Sequence, residues 1–424
     1  MLSKKTSPPT PSPIGEGAFT TFKIMTTRRE FIKKSAFATV GGMMIPNFLK
    51  AFERQNMGGI QTSEKVLVII QLSGGNDGLN TVVPYRNDIY YKSRPTIAIP
   101  KEKVLKLNDE VGLNPAMESL RGLYDNGLVS VINNVGYPNP DRSHFRSMDI
   151  WQTASESTEY LNTGWIGRYL DANCAGHCVP YQALEIDDTL SLSMKGEKVK
   201  ALAVQDPEKL YRQVTGDFMS KVAKNKAVNE HDNVAYLYKT LAETASSAEF
   251  LHTKTQIYKS TSQYPQGELG QRLKTISELI VSGMPTNIYY VSISGFDTHF
   301  NQVNTQERLL KNYADSVNVF VNDLKKKNRM DDVAIMTFSE FGRRVKQNAS
   351  GGTDHGTANN VFLIGEKLKR PKVLNEAPNL SDLDEGDLKF SVDFRQIYAS
   401  LLQDWLKTND KSILGGNFES LKLL

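Results

Sequence analysis

Acidic and histidine side chains follow several predicted strands of this sequence, and their types suit metal binding. Asp77 lies in a glycine-rich turn, Asp297 and His299 stand two apart, and Glu340 and His355 lie in two further polar loops. Carboxylate and imidazole groups are typical zinc ligands, whereas carboxylates alone suit calcium or magnesium. We therefore expect these five side chains to hold one or two divalent ions, with Zn²⁺, Ca²⁺ and Mg²⁺ all open.

A second group of residues indicates nucleophilic chemistry. Arg142, Ser143 and His144 come after the second predicted strand, where a helix is predicted to begin. A serine at a helix N-terminus lies beside unpaired backbone N–H groups, which bind anions. We expect Ser143 to be the nucleophile, with Arg142 and His144 beside it. We expect Arg142 and Arg146 to bind substrate oxygens, and Arg343 is a weaker candidate; the alternative is a simple helix cap with solvated arginines.

Buried apolar runs place these residues at the ends of strands. The predicted elements are strands at 66–72, 128–132, 287–293 and 333–338 and helices at 117–124 and 305–327. Alternating strands and helices predict an α/β fold with a central, mostly parallel sheet sandwiched by helices. Ligands of such folds bind beyond the carboxyl ends of the strands. The polar stretch 195–285 is predicted to be a helical insertion.

The composition is that of a globular protein with little net charge. Of the 424 residues, 39% are hydrophobic, and the formal net charge is only +4. This balance argues against a nucleic-acid partner, which would require a concentrated basic face. The sequence contains no P-loop, dinucleotide-binding fingerprint or G-x-S-x-G motif, so we expect no nucleotide cofactor.

The N-terminal region carries the features of an export signal. Arg28 and Arg29 precede a short apolar run at 35–46. This arrangement is typical of a twin-arginine signal, and the run is too short for a transmembrane helix. We expect the twin-arginine translocase as a partner and a periplasmic or cell-envelope location. Membrane contact is expected only through an uncleaved leader.

The domain boundaries follow from this interpretation. Residues 1–24 precede Met25 and are rich in Pro, Ser and Thr. We expect them to be an extension upstream of the true start, or a disordered extension. Residues 25–60 are then the signal and linker, and residues 64–424 form the α/β domain.

The two cysteines of the chain, Cys174 and Cys178, are four positions apart with His177 between them. A disulfide is plausible in an oxidising compartment. Two thiols and one histidine are too few for a structural zinc site. We favour a loop disulfide or free thiols over a metal clip, and the choice between the first two stays open.

Taken in order, the motifs resemble the bacterial domain-of-unknown-function 1501 family. The matching pieces are the twin-arginine leader and the segments 72–80, 143–145, 163–168, 295–299, 339–343 and 352–356. That family is grouped with the alkaline phosphatase and sulfatase superfamily. The resemblance implies an alkaline phosphatase-like fold and a metal-dependent hydrolase of phosphate or sulfate esters, with a small anionic or glycan substrate.

The resemblance also implies individual roles. Asp77, after the first strand, would bind one metal ion, and Asp297 and His299 would bind another. Ser143 would be the nucleophile or its equivalent, and His355 would be the terminal histidine of the site.

The sequence departs from the superfamily pattern at one place. Members with two metals carry an Asp-His pair where this chain has Ser339 and Glu340, and no histidine follows here. Glu340 is expected to replace one ligand. The departure motivates an alternative, a catalytically degenerate envelope protein that binds a glycan or a partner protein. A purely structural envelope protein is the third hypothesis.

Overall fold

The structure, a computed structural model, describes residues 65–173, 179–216 and 232–424, with backbone alone for 232–242. The N-terminal extension, the export signal and the linker lie outside these residues, as do Cys174 and Cys178. In the described ranges, no helix has the length and apolar character needed to cross a membrane.

The strands of the described residues form one large sheet and two small ones. They are β1 (Val66–Leu72), β2 (Val82–Val83), β3 (Leu105–Lys106), β4 (Gly112–Leu113), β5 (Val129–Gly136), β6 (Ala183–Glu185), β7 (Leu202–Ala203), β8 (Ile288–Ile293), β9 (Val333–Phe338), β10 (Asn359–Ile364), β11 (Leu383–Asp384), β12 (Asp387–Leu388) and β13 (Val392–Asp393). The large sheet has the order β13-β5-β10-β9-β1-β8-β6-β7. Strand β10 runs antiparallel to both of its neighbours, and the other pairs are parallel.

Helices cover both faces of this sheet. The helices are α1 (Gly78–Thr81), α2 (Asp88–Ser93), α3 (Glu118–Asp125), α4 (His144–Thr153), α5 (Trp165–Asn173), α6 (Pro207–Thr215), α7 (Asp232–Thr255), α8 (Glu268–Val281), α9 (Gln302–Lys326), α10 (Phe394–Ser400) and α11 (Lys411–Leu414), with a π-helical turn at Leu401–Trp405 and 3-10 turns at Lys101–Lys103, Pro115–Met117, Pro180–Gln182, Leu192–Met194 and Met330–Asp332. Because side chains alternate along a strand, Val68 and Ile70 pack with α3, α8 and α9, whereas Leu67 and Ile69 pack with α4, α5 and α10. The expected α/β fold, a mostly parallel sheet between helices, is confirmed.

The predicted elements match the structure most closely in the core. Strands β1 and β9 have the predicted bounds, whereas β5 continues to Gly136, beyond the predicted end. Its last residues include Asn133 and Asn134, which carry no β-branched or apolar signal and lie at a register shift, between the pairs Ile132–Val361 and Val135–Asn359. The stretch 195–285, predicted to be helical, contains α6, α7 and α8 but also the edge strand β7, whose two residues are too few for a periodic pattern.

One edge of the sheet collects the loops that carry the candidate residues. The carboxyl ends of β1, β5, β8 and β9 lie at this edge because these strands run in the same direction. Strand β10 runs the opposite way, so the connection 339–358 between β9 and β10 stays at the same edge. Arg343 and His355 form an antiparallel bridge within it. That bridge folds the connection back and returns His355 to the strand ends.

Candidate metal centre

Four side chains converge at this edge, and we call them the cluster: His144, Asp297, His299 and His355. Oδ1 of Asp297 lies 3.0 Å from Nε2 of His299 and 3.3 Å from Nε2 of His355. The same oxygen lies 3.5 Å from Nε2 of His144. The candidate ligand atoms of His144, Asp297 and His355 all lie within 4.8 Å of one another. The structure thus brings three of the five predicted metal ligands together and adds His144, which was expected to be catalytic.

Each imidazole ring of the cluster is held through its other nitrogen, Nδ1. The contacts are His144 with Oε1 of Glu340 at 2.9 Å, His355 with the carbonyl of Arg142 at 2.7 Å and His299 with Oδ1 of Asp354 at 3.3 Å. Carbonyl and carboxylate oxygens accept hydrogen bonds, so these contacts suit the tautomer with the proton on Nδ1. In that tautomer every Nε2 would present its lone pair to the centre of the cluster, as in metal-binding histidines.

The converging Nε2 atoms fit a cation. Nε2 of His299 and Nε2 of His355 are 3.0 Å apart, a distance at which two lone pairs repel unless a proton or a cation lies between them. Nε2 of His144 is buried and has no hydrogen-bond partner among the described residues. Ligand atoms about 2.0–2.2 Å from one tetrahedral ion lie about 3.3–3.6 Å apart, and Oδ1 of Asp297 lies 3.3 Å from His355 and 3.5 Å from His144. His299 contacts Asp297 and His355 but does not belong to the group whose ligand atoms all lie within 4.8 Å of one another. Three imidazoles with one carboxylate favour zinc-type ions over Ca²⁺ or Mg²⁺.

Neighbouring groups set the charge of the cluster. Partial burial opposes ionisation of Asp297, but the guanidinium of Arg343, 2.7 Å away, holds its pKa at about 2. The hydrogen bond to Glu340 raises the pKa of His144, whereas burial lowers the pKa of His355. Asp297 is thus an anion at neutral pH, and His355 is held in the neutral form that binds metals.

Arg343 ties together the loops that carry the cluster. Its buried guanidinium donates to Asp297 and to the carbonyls of Gly74, Gly75, Phe296 and Thr353. At Gly74 the backbone has a φ of +116°, and a Cβ there would lie 2.5 Å from the nitrogen of Asp297, so only glycine fits this close approach. Arg343 was a candidate for binding substrate oxygens, but these contacts use its donors inside the protein.

Asp77 is not brought to the cluster. Its Oδ2 lies 2.5 Å from a guanidinium nitrogen of Arg94 and 2.5 Å from Nε2 of Gln302, and its Oδ1 caps α1. The side chains of Asp77 and Arg94 are both 0% exposed. The carboxylate is therefore neutralised by a built-in cation. Arg94 escaped the sequence analysis because it follows the short helix α2 in an irregular segment without a recognisable motif.

Glu340 is also placed differently from the expectation. Its Oε1 accepts hydrogen bonds from Nδ1 of His144 and, at 2.8 Å, from the backbone N–H of Gly74. Its Oε2 lies 3.2 Å from the hydroxyl of Ser339. Glu340 therefore stands behind a cluster histidine and orients it. No histidine follows Glu340, and His144, the first residue of α4, is the histidine that contacts it.

Ser143 lies beside the cluster with an uncommitted hydroxyl. It is the exposed N-cap residue of α4 and makes no side-chain capping bond. Its backbone N–H donates to Oδ1 of Asp141 at 2.7 Å. One neighbour, Arg142, receives the hydrogen bond of His355 on its carbonyl, and the other, His144, belongs to the cluster. Ser143 thus directly precedes a cluster residue in the chain and stands at the N-terminus of a helix.

The side chains of Arg142 and Arg146 contact other groups of the protein. Nε of Arg142 lies 2.7 Å from Oδ2 of Asp387. The buried guanidinium of Arg146 donates to the backbone carbonyls of Glu156, Ser157 and Glu159. Neither side chain is brought to the cluster, so the expected oxygen-binding roles are not supported by these contacts.

A family model matches most of this region of the chain. It carries the description "Protein of unknown function (DUF1501)" and covers residues 132–406. All four cluster residues fall within that range. A comparison with curated proteins found no match.

Solved structures with a similar course of the chain include several hydrolases. The PsFucS1 sulfatase from Pseudoalteromonas sp. is 10% identical, with a TM-score of 0.40 and coverage of 89% of this chain and 75% of that one. The phosphonate monoester hydrolase SpPMH from Silicibacter pomeroyi is 10% identical, with a TM-score of 0.38 and coverage of 85% and 76%. A Vibrio parahaemolyticus protein in the alkaline phosphatase superfamily is 11% identical, with a TM-score of 0.35 and coverage of 80% and 73%. Such low scores carry no argument about reaction or substrate.

Proposed function

Because the chain belongs to the DUF1501 family, which is described as of unknown function, we propose its activity from the site itself: a metal-dependent hydrolase of phosphate or sulfate esters. The observation that carries the proposal is the convergence of three Nε2 atoms on the Asp297 carboxylate. In each of the three rings the other nitrogen, Nδ1, contacts an oxygen acceptor that orients the ring. Preorganised donors of this kind are typical of a metal site with a formed outer shell.

Each part of the site has a role in this proposal. The cluster would hold one zinc-type ion, which would supply Lewis-acid stabilisation of negative charge on the ester. The N-terminal N–H groups of α4 attract the oxygens of the anionic group. Ser143 is the candidate nucleophile, because its hydroxyl is exposed beside His144 and is not used as a cap. Arg343 and Glu340 are positioning residues, which orient Asp297 and His144 respectively.

We expect the site to bind one ion per chain rather than two. Asp77, the other expected anchor of a metal ion, is already neutralised by Arg94. A second cation there would have to displace a buried guanidinium that also donates to Asn80 and to the carbonyls of Arg344 and Val345. Breaking a buried ion pair of this kind is strongly unfavourable.

Metal analysis of the purified protein tests this proposal. We expect one bound zinc-type ion per chain, lost in His144→Ala and in His355→Ala. His252→Ala is the matched control, since His252 lies on α7, stacked on Tyr211 and outside the cluster. We expect turnover of para-nitrophenyl phosphate or sulfate, abolished by Ser143→Ala. Protein without bound metal, whose melting temperature is the same with and without chelator, would refute the proposal.

A second candidate function is binding without turnover. It is favoured by the arginines near Ser143, since Arg142 is paired with Asp387 and Arg146 with backbone carbonyls. A hydrolase of dianionic esters usually has cationic groups for the non-bridging oxygens. In this case the metal-loaded protein binds an anionic or glycan ligand with equal affinity before and after Ser143→Ala, and neither aryl ester is turned over.

We further propose that the chain is exported by the twin-arginine route to the periplasm or cell envelope. The support is the sequence pattern at Arg28 and Arg29. Changing both arginines to lysine, which keeps the charge, should retain the full-length protein in the cytoplasm in cell fractionation. Export of that variant at the original level would refute the route.

A further inference from the structure

A cavity of about 280 Å³ lies at the same edge of the sheet as the cluster. Two of its wall residues also belong to the surroundings of the cluster. Glu340 lines the cavity and holds Nδ1 of His144, and Asp141 lines the cavity and accepts the backbone N–H of Ser143. One side chain thus separates the cavity from a cluster histidine, and one separates it from the candidate nucleophile.

The cavity has aromatic walls and the size of a single ring. Tyr137, Phe341 and Phe390 line it, and Phe390 is 37% exposed. The face of an aromatic ring carries partial negative charge, which attracts the slightly positive C–H groups of a saturated ring. A volume of about 280 Å³ lies below the range of drug-sized pockets. The walls therefore favour one compact ring rather than a long apolar chain.

The charges of the cavity exclude an anionic occupant. Asp141 and Asp384, whose side chains are not fully buried, line the cavity together with the buried Glu340. Among the described residues that line it, Lys389 is the cationic one, and its Nζ lies 2.5 Å from Oδ1 of Asp382. Carboxylates repel an anion but accept hydrogen bonds from hydroxyl groups. The ester's anionic group is therefore expected outside this cavity, with a hydroxylated part inside.

The wall also holds a buried donor without a partner. Trp151 lines the cavity and is 2% exposed, and its Nε1–H has no hydrogen-bond acceptor among the described residues. Its ring is fixed by stacking on Phe338 and Phe394, with centroids 4.8 Å and 4.3 Å away. Buried indole N–H groups usually find an acceptor. Because Nε1 itself is buried, Trp151 contributes its ring rather than this donor to the cavity wall.

We propose that this cavity binds a neutral, polyhydroxylated ring, that is, a sugar unit, which forms the alcohol part of the ester. The assignment to the ester rests on the proposed hydrolase function, since the anionic group of the same molecule would then face the cluster. Aromatic faces and carboxylate acceptors are the complementary groups for such a ring. The binding itself does not require the metal.

The test is saturation-transfer NMR of the metal-free, chelator-treated full chain with the methyl glycosides of glucose, galactose, mannose and fucose. We expect at least one of them to receive saturation on its ring protons. Phe390→Ala and Asp384→Asn should each weaken its binding about tenfold or more. Phe300→Ala is the matched control, since this exposed ring follows His299 and does not line the cavity.

The outcomes separate this inference from the proposed function. Absence of binding by all four glycosides overturns it, as does binding that Phe390→Ala and Asp384→Asn leave unchanged. Binding of choline in place of the glycosides, lost in Asp384→Asn, would assign the cavity to a cation and also overturn it. If His144→Ala loses metal but keeps glycoside affinity, the two sites are independent as proposed. Glycoside binding by a chain that never takes up metal would refute the hydrolase and keep the sugar site.

Discussion

At the scale of single residues, the three histidines of the cluster differ in the acceptor that Nδ1 contacts. Nδ1 of His144 contacts a buried carboxylate, Glu340, and Nδ1 of His355 contacts a backbone carbonyl. His299 is 40% exposed in its side chain, and its partner Asp354 is 57% exposed. A carboxylate behind an imidazole makes the ring a stronger donor to a metal ion. We therefore expect His144 to contribute most to metal affinity and His299 least.

Replacing the carboxylate behind His144 should weaken metal binding without removing a ligand. In Glu340→Gln the amide keeps the shape and can still accept from Nδ1, but it lacks the charge that strengthens the imidazole. We expect metal affinity to fall by about 10–100-fold, measured by competition with a chromophoric chelator. Glu366→Gln is the control, because Glu366 pairs with Lys325 on the surface. Equal affinities in the two variants would remove Glu340 from the outer shell.

The buried pair of Asp77 and Arg94 predicts a change in stability without a change in metal content. Asp77→Asn leaves the guanidinium of Arg94 without its counter-ion in a fully buried position. We expect the free energy of unfolding to fall by about 3–5 kcal/mol, measured by urea denaturation. Metal content of the folded variant should equal that of the parent. Loss of the metal from a folded Asp77→Asn protein would show that Asp77 is a ligand after all.

At the scale of elements, a single carboxylate joins the helices that cover one face of the sheet. Oδ2 of Asp323 on α9 accepts hydrogen bonds from Ser260 at 2.7 Å, Ser277 at 2.8 Å and Tyr264 at 2.9 Å, and Oδ1 accepts from Ser262 at 2.9 Å. Two of the serines and the tyrosine lie between α7 and α8, and Ser277 lies on α8. Although burial opposes ionisation, these hydroxyls hold the pKa of Asp323 below its usual value.

Asp323→Asn should therefore loosen the packing of α8 on α9. In the parent protein these hydroxyls donate to the carboxylate, whereas the amide of the variant would present its own N–H donors to them. We therefore expect the free energy of unfolding to fall by about 1–3 kcal/mol. Asp331→Asn, a surface ion pair with Lys367, should cost less than about 1 kcal/mol. Because the pKa of Asp323 is lowered by folding, its contribution is present above about pH 4 and is lost as the pH falls further. The difference between the variant and the parent should shrink in acid.

At the scale of the whole molecule, the dependence of stability on pH has a second source at the end of β6. Glu185 is 5% exposed, and burial raises its pKa to about 7. A carboxyl whose pKa is raised by folding contributes fully below the pKa of the unfolded chain and loses that contribution as the pH rises through about 7. Glu185 therefore destabilises the fold in weakly alkaline solution.

Glu185→Gln should remove this dependence. The amide oxygen can still accept from the backbone N–H of Ser191, as Oε2 of Glu185 does at 2.6 Å. We expect the variant to be about 2–3 kcal/mol more stable than the parent at about pH 8 and nearly equal to it at about pH 4. Thermal or urea unfolding at the two pH values measures the difference. A variant that is less stable than the parent at the higher pH would contradict the prediction.

The sequence carried enough information to predict the sheet and to select most residues of the cluster. It did not show which side chains these residues contact. Continuous apolar runs predicted β1 and β9 with the bounds they have. Asp297, His299 and His355 were found because each stands in a glycine-rich loop after a strand. Asp77 stands in such a loop too, and only its contact with Arg94, 17 positions away in the chain, distinguishes it. Long-range pairings of this kind leave no local pattern.

The order of the strands gives the cluster a mechanical consequence. His144 follows β5 and Asp297 follows β8, and β10, β9 and β1 lie between these two strands in the sheet. An ion bound by both residues would link β5 to β8 across the three strands between them. Pulling the flanking strands apart would then require rupture of a coordination bond in addition to the ladder of hydrogen bonds. The metal-loaded protein should therefore resist a stretching force that unfolds the protein from which a chelator has removed the metal.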